Sequence, residues 1–350
     1  MHSSAVEPKT ILAQAPCRAD LAGGTLDLWP LYLFHPGAVT VNFALSIMTS
    51  CSITPTAGKT IRLRSVDTRK EDVFASFDEL NKAKLPKHPL AVQLVKFFKP
   101  EGGFTLETNS ESPSGAGISG SSAMMIASTA ALAKFTGRKL GLEEMRVIAQ
   151  NVEAQLIQVP TGCQDYYPAL YGGANSIHLD AAGIRREGIN VSADEIDSRF
   201  IVVYTGAPRH SGINNWEVYK AHINGDKKVV KNFETISEIA QGMHRALNKP
   251  DWDEVAHLVR EEWKLRRSNH DGISTPLIDR LVAVAAKTGG RAAKVCGAGG
   301  GGCVLFMVKD GARERVVEAL RINGGEVLPC KMAAEGLTVK SLMASKAAQA

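Results

Sequence analysis

The sequence predicts an α+β protein of two domains. Three observations carry this reading. The chain has 350 residues, enough for about two domains at roughly 150 residues each. Strand-like and helix-like patterns alternate irregularly along it, without the regular βαβ repeat of a doubly wound sheet. A polar stretch at 180–197 interrupts the apolar patterning and is followed by the apolar run Phe200–Tyr204. The expected domains are therefore 1–195 and 196–350.

The elements follow in order. Residues 38–54 alternate roughly and are rich in β-branched side chains, which predicts a strand. The cleaner alternation of 61–66 predicts a second strand. Residues 119–136 are Ala- and Met-rich without a breaker, and Gly137 follows as a stop, so a buried helix is expected there. Leu142, Met145, Ile148, Val152 and Leu156 recur at helical spacing and predict an amphipathic helix over 142–158. A loop at 159–165 leads to a strand at 174–179. Phe200–Tyr204 reads as a short buried strand. Helical periodicity returns over 228–247, a capping box of Asp251 and Glu254 starts another helix, and Thr275-Pro276 opens a third. Strands at 292–296 and 303–308 flank a glycine loop. A helix near 312–322 and strands near 326–329 and 336–341 close the chain.

Composition excludes several classes. No run approaches the ~18 apolar residues of a membrane helix. The start, MHSSAVEPKT, lacks the cationic and apolar regions of a secretory signal. Six scattered cysteines form no CxxC pair, so neither a disulfide framework nor a zinc site of that kind is expected, and a cytoplasmic location is. Forty-one Lys and Arg against 36 Asp and Glu give a net charge of +5, compatible with an anionic small molecule but without the basic stripe of a nucleic-acid binder. The 32 glycines exceed the usual ~7%, and they cluster in three places.

The strongest cluster is Pro113-Ser-Gly115-Ala116-Gly117-Ile-Ser119-Gly120-Ser121-Ser122. Closely spaced glycines before a long helix let backbone N–H groups reach an anion, and the helix start adds unpaired N–H groups and its dipole. Ser121 and Ser122 supply hydroxyls for a phosphate or Mg²⁺. The lysine of a Walker A loop is absent. The second cluster, Gly297 to Gly302, holds five glycines in six residues between two apolar strands. It suits either a tight hairpin or close approach to a ligand or to the first loop. The third, Arg18-Ala-Asp20-Leu-Ala-Gly23-Gly24-Thr-Leu-Asp27, reads either as a salt-bridged turn or as a site where Arg18 offsets phosphoryl charge and Asp27 meets sugar hydroxyls. Asp165, in the 159–165 loop, is a candidate proton acceptor. Cys163 beside it has no evident base and is read as a bystander.

Taken together and in this order, the three segments resemble the GHMP kinases, over roughly residues 12–342. PSGAGISGSSA is similar to the family's nucleotide loop and KVCGAGGGGCVLF to its third motif. CRADLAGGTLDL, GCQDYYPALYGG, YTGAPRHS and EEWKLRRSNHDGIS are most similar to the sugar-kinase branch of heptose kinases and fucokinases, related to galactokinase.

The resemblance implies a ribosomal-protein-S5-like N-terminal domain and a ferredoxin-like C-terminal one, with ATP and a small sugar between them. It implies that Pro113, Gly115, Ala116, Gly117, Ser119, Gly120, Ser121 and Ser122 hold the ATP phosphates and that Ser121 and Glu153 bind Mg²⁺. Asp165 would take the proton from a sugar hydroxyl, and Arg18 would contact both Asp165 and the transferring phosphoryl group. Asp27, Gly24, Gln164, Arg209, Gly299 and Gly300 are the implied substrate residues. Two departures stand out: Ser119-Gly120 where relatives show Gly then Ser or Thr, and Gly24 where galactokinases carry glutamate. The alternatives are a small-alcohol kinase of the mevalonate or homoserine type and a non-catalytic sugar or ATP sensor on the same fold.

Overall fold

The computed structural model describes residues 9–208 and 213–343. Two sheets organise them. The first contains β1 (Lys9–Ala22), β2 (Val39–Thr56), β3 (Ile61–Ser65), β4 (Lys70–Phe74), β5 (Gly103–Ser110), β6 (Ala174–Asp180) and β7 (Gly183–Ile189). The second contains β8 (Phe200–Tyr204), β9 (Gly290–Val295), β10 (Cys303–Val308) and β11 (Glu326–Val327). The last strand, β12 (Thr338–Met343), returns to the first sheet and pairs antiparallel with β1. That corrects the division at 195/196: the end of the chain, expected in the second domain, completes the first sheet.

β2 is the spine of the first sheet. It runs antiparallel to β1, then pairs with β6 through Val39–Phe43 and with β5 through Thr49–Thr56. Over this sheet lies α3 (Gly120–Phe135), whose Ala-rich surface is buried on nearly every side. Small side chains let its backbone sit close to β1 and β2, as expected of a helix apolar all round. The helices α1 (Phe77–Lys82), α2 (Pro89–Phe98), α4 (Leu142–Ile157) and α5 (Tyr166–Tyr171) complete this half.

In the second sheet, the order β11-β8-β10-β9 is antiparallel throughout. β8 is buried on both faces. Phe200, Val202 and Tyr204 join the core shared with the first sheet, while Ile201 and Val203 face the second core. This explains why FIVVY is uninterrupted by polar residues. The remaining helices are α6 (Ala193–Arg199), α7 (Ile213–Ile223), α8 (Lys227–Asn248), α9 (Trp252–Ser268), α10 (Pro276–Thr288) and α11 (Arg313–Ile322). Asp251 caps α9 by accepting from the Glu254 amide, and Thr275 caps α10 through the Ile278 amide. The return bond from Glu254 that a full capping box requires is not made among the described residues. No helix among the described residues is long and apolar enough to cross a membrane.

The polar stretch 180–197, where a domain boundary is expected, holds β7 and the start of α6, and GIRREGI is polar because β7 is an edge strand. One further expectation changes. Arg18 and Asp20 do not stand in a turn: they lie buried in β1. Their charges and Pro16 break the period-2 apolar signal that marks a strand.

Candidate active site

A cavity of about 370 Å³ opens along the loop between β5 and α3. Pro113, Gly115, Ala116, Gly117, Ser119, Gly120 and Ser121 line it, Asp165 borders it, and Lys87 to Ala91 at the start of α2 form another wall. Gly115 and Gly117 take φ of 69° and 75°, which turn the backbone through a left-handed bend before α3. Ser119 shares this conformation at φ 60°, and its buried Oγ has no hydrogen-bond partner. Gly120 is held small by its surroundings, since a Cβ there would sit 3.1 Å from the Ser112 side chain. The serine therefore occupies the left-handed position and the glycine the crowded one. Ser122, expected at the phosphates, is turned away and donates to Glu153 at 3.1 Å.

Arg18 ties three segments together. Its Nε and Nη2 lie 2.8 and 2.7 Å from Asp165 Oδ1, and Nη1 donates to the carbonyls of Gly117 at 3.0 Å and Cys296 at 2.8 Å. Burial alone would make this guanidinium easier to deprotonate; Asp165 and Asp20 outweigh that and hold it more firmly charged. Asp165 starts α5 and is a quarter exposed, so it faces the cavity while remaining paired.

The second glycine loop closes against the first. The Cys303 amide donates to Ala116 O at 2.6 Å, and a Cβ at Gly302 would lie 2.7 Å from that same oxygen. Gly299 and Gly300, expected at the substrate, pack on Ile273: the Gly300 amide donates to Ile273 O at 2.9 Å, and a Cβ at Gly299 would approach that oxygen to 2.3 Å. Their close approach is thus satisfied by protein backbone.

Asp27 and Gln164 lie side by side. Asp27 Oδ2 accepts from the Gln164 amide at 2.8 Å, joining the loop after β1 to the loop that carries Asp165. Burial pushes the Asp27 carboxyl up to about 7, against the lowering effect of that hydrogen bond and with a further push from Asp165. Gly24 is small for a definite reason. A Cβ there would meet Asp20 Oδ2 at 2.7 Å, Arg266 Nη2 at 2.9 Å and Gln164 Nε2 at 3.1 Å. A glutamate would have no room. Arg209 lies outside the described residues.

Behind Gly24 sits a buried group of four charges that the sequence reading missed. Lys294 Nζ is 2.7 Å from Asp20 Oδ2 and 2.8 Å from Glu262 Oε2, the latter as an ion pair without hydrogen-bond geometry. Arg266 Nη2 is 2.7 Å from Glu262 Oε1 and 2.9 Å from Gly24 O. Burial would raise Asp20, but Lys294, Arg266 and Arg18 together hold it below the usual carboxylate range. The group joins β1 to α9 and β9, and so fixes the first half against the second. A signal existed: Lys294 is flanked by the apolar residues Ala292, Ala293 and Val295, and Glu262 and Arg266 stand at i,i+4 spacing.

Glu153 on α4 is 6% exposed. Its Oε2 accepts from Tyr166 Oη at 2.6 Å and Ser122 Oγ at 3.1 Å, and burial outweighs these hydroxyls and raises its pKa. No cationic side chain among the described residues pairs with it. Cys163 is fully buried, and burial raises its thiol well above the ordinary value, which fits a bystander.

Family models for the GHMP kinase N-terminal domain and the GHMP kinase C-terminal domain match residues 87–173 and 243–326. The chain belongs to the GHMP kinases. The fold is the family's two-domain α+β fold, and the loop opening α3 falls inside the first matched segment. Among curated relatives, this kinase is 28% identical over 338 residues to the D-glycero-alpha-D-manno-heptose 7-phosphate kinase of Campylobacter jejuni, covering 94% of this chain and 98% of that one. It is 24% identical over 354 residues to the mevalonate kinase of Thermococcus sibiricus, covering 95% and 99%. Among solved structures, a D-glycero-D-manno-heptose 1-phosphate kinase from Bacteroides thetaiotaomicron superposes with a TM-score of 0.77 at 22% identity, covering 95% of this chain and all of that one.

Proposed function

We propose that this GHMP kinase transfers the γ-phosphoryl group of ATP to a sugar hydroxyl, at the anomeric position of a heptose, a heptose phosphate or a fucose-like sugar. The observation that carries the reading is the Arg18–Asp165 pair at the border of the phosphate-loop cavity. Asp165 takes the proton of the acceptor hydroxyl, the hydroxyl oxygen bonds to the γ-phosphorus, and the bond from that phosphorus to the β,γ-bridging oxygen breaks to release ADP. Such a reaction needs positioning and charge neutralisation more than covalent chemistry. Arg18 supplies positive charge next to the base, and the 113–121 loop supplies backbone N–H groups for the phosphates. Asp27, Gln164 and Gly24 form the sugar side.

Mg²⁺ fits the residues present: Glu153 is a buried carboxylate with hydroxyl partners and no cationic partner among the described residues, and Ser121 is exposed at the helix start beside it. When bound there it would offset charge on the nucleotide phosphates. All six cysteines are free thiols and five are buried, which supports a reducing, cytoplasmic setting.

The test is an ADP-release screen with ATP and Mg²⁺ over heptoses, heptose phosphates, fucose, galactose, mevalonate and homoserine, followed by locating the phosphate on the product. Turnover on a sugar with anomeric phosphate supports the reading. Response to mevalonate or homoserine alone replaces it with a small-alcohol kinase, and ATP binding without turnover on any acceptor replaces it with a sensor.

A further inference from the structure

The β6–β7 hairpin turns one face toward α8, away from the phosphate-loop cavity. Ser176 and Glu187 are direct partners across the hairpin, and His178 projects from the same face of β6 two residues on. His244 comes down from α8, one turn beyond Ala240, against which a Cβ at Gly23 would lie at 3.0 Å. His178 Nε2 is 3.0 Å from Glu187 Oε2, and His244 Nε2 is 4.0 Å from Glu187 Oε1. One ligand atom from each of the three residues falls within 4.8 Å of the others, in a half-buried setting.

The geometry points to a divalent transition-metal site, suited to Zn²⁺, held by His178, Glu187 and His244 with a fourth position open to water. Tetrahedral ligands about 2.0–2.1 Å from Zn²⁺ lie roughly 3.3–3.4 Å apart. The observed separations bracket that value, so small side-chain rotations bring all three onto one ion. Two imidazoles and a carboxylate are a donor set that favours Zn²⁺ over Mg²⁺ or Ca²⁺, which prefer oxygen.

The surroundings prepare the ligands. Ser176 Oγ is 2.8 Å from His244 Nδ1. Assigning the Nδ1 proton to that bond puts the lone pair on Nε2, the atom that faces Glu187, and this is how metal-ligating histidines are commonly oriented. The Nε2 lone pair and the Glu187 oxygen are then two acceptors facing one another, an arrangement that a cation satisfies. Two groups compete: Arg185 Nη1 is 3.8 Å from Glu187 Oε2, and Asn248 Nδ2, which donates to His244 O at 3.0 Å, also lies 3.2 Å from His244 Nδ1 and 3.4 Å from its Nε2. The Arg185 side chain is 67% exposed, and Asn248 lies in an exposed contact, so both can yield to the ion. A bound metal would tie α8 to the β6–β7 hairpin, bridging the helix that packs on the Gly23 turn and the first sheet.

The experiment uses the full chain, stripped with a chelator and dialysed, titrated with Zn²⁺ by calorimetry and with Co²⁺ by visible absorption. The expected result is one high-affinity site whose occupation raises Tm. His244→Ala and Glu187→Gln should each weaken Zn²⁺ binding at least about 100-fold and abolish the Co²⁺ spectrum. Ser176→Ala should weaken it on the order of tenfold, the usual cost of losing a partner that orients a ligand. Glu153→Gln, at the Mg²⁺ position, should leave Zn²⁺ affinity unchanged. No Zn²⁺ binding by the wild type, or equal affinity in the wild type and the ligand variants, overturns the assignment. If His244→Ala fails to fold, Glu187→Gln gives the same reading, because it removes only charge.

Discussion

Arg18 reaches Asp165 with two nitrogens, and both meet the same oxygen, Oδ1, at 2.8 and 2.7 Å. Oδ2 is bound by none of the described residues and remains available to an incoming proton. Asp165→Asn keeps the shape and the pairing oxygen but removes the basicity. Turnover in this variant should fall by roughly 10²–10⁴-fold, the usual contribution of a positioned base, with ATP affinity within about twofold of wild type. Arg18→Lys keeps one charge and loses the fork that also reaches Gly117 O and Cys296 O. Its turnover should fall on the order of 10²-fold. Steady-state kinetics with nucleotide titration checks both, and near-normal turnover in Asp165→Asn would remove Asp165 from the role of base.

Asp27 makes stability depend on pH in the opposite sense to an ordinary ion-paired carboxylate. Its pKa is about 7 in the folded chain against an ordinary 3.8. Between those values the folded state keeps a proton that the unfolded chain has lost. Its contribution is therefore fully present below about pH 4 and is lost as pH rises through 7, amounting to on the order of 4 kcal/mol. In Asp27→Asn the side-chain carbonyl can still accept from the Gln164 amide, and the group does not ionise. This variant should melt above wild type at pH 8, with the gap closing by pH 5, while KM for the sugar rises. Thermal melts at both pH values, wild type against variant, isolate the effect.

Lys294 is the shared cation of two buried carboxylates. Lys294→Met would leave Asp20 without its nearest cation and Glu262 with Arg266 alone. Breaking a buried pair from one side costs about 3–5 kcal/mol, so urea unfolding should show a loss of that size. Gly24→Ala pushes a methyl group into the same network and should cost about 1–3 kcal/mol by overpacking. A neutral result for Lys294→Met would mean that water reaches the network.

Ser119 combines a left-handed backbone with a buried hydroxyl that lacks a partner. Ser119→Gly relieves the backbone strain but adds freedom to the unfolded chain. These effects are each about 1 kcal/mol and oppose one another. Stability should therefore stay within about 1 kcal/mol, and KM for ATP should rise several-fold as the hydroxyl is lost to the phosphates. An unchanged KM would show that Ser119 Oγ does not meet the nucleotide.

Much of the fold was legible because its signals are local. The strands of 38–54 and 61–66 alternate, α3 is apolar on nearly every side and is followed by Gly137, and α4 repeats apolar residues at helical spacing. FIVVY is apolar throughout because both of its faces are buried. β1 and β7 were not legible, because buried charges interrupt one and the other is an exposed edge, whereas β6 was legible as the strand at 174–179. The glycine clusters were legible as places of close approach, but what approaches was not. Gly302 is small for Ala116 O, Gly299 for Ile273 O and Gly24 for Asp20 and Arg266.

The sequence by itself determined the α+β class, the family, and the residue types that stand at the phosphate loop, at Arg18, at Asp165 and at Glu153. The class follows from periodicity, and the family and these residues from the resemblance of motifs whose parts are close along the chain. The tertiary structure alone decided that Arg18 clasps Gly117, Asp165 and Cys296 together, that Ser122 serves Glu153, and that the last strand rejoins the first sheet. It also decided that Asp20, Glu262, Arg266 and Lys294 form one buried group, although they span 274 positions between Asp20 and Lys294. Charges so far apart in sequence interact only when folding removes the water between them, and nothing in local pattern records which of them will meet.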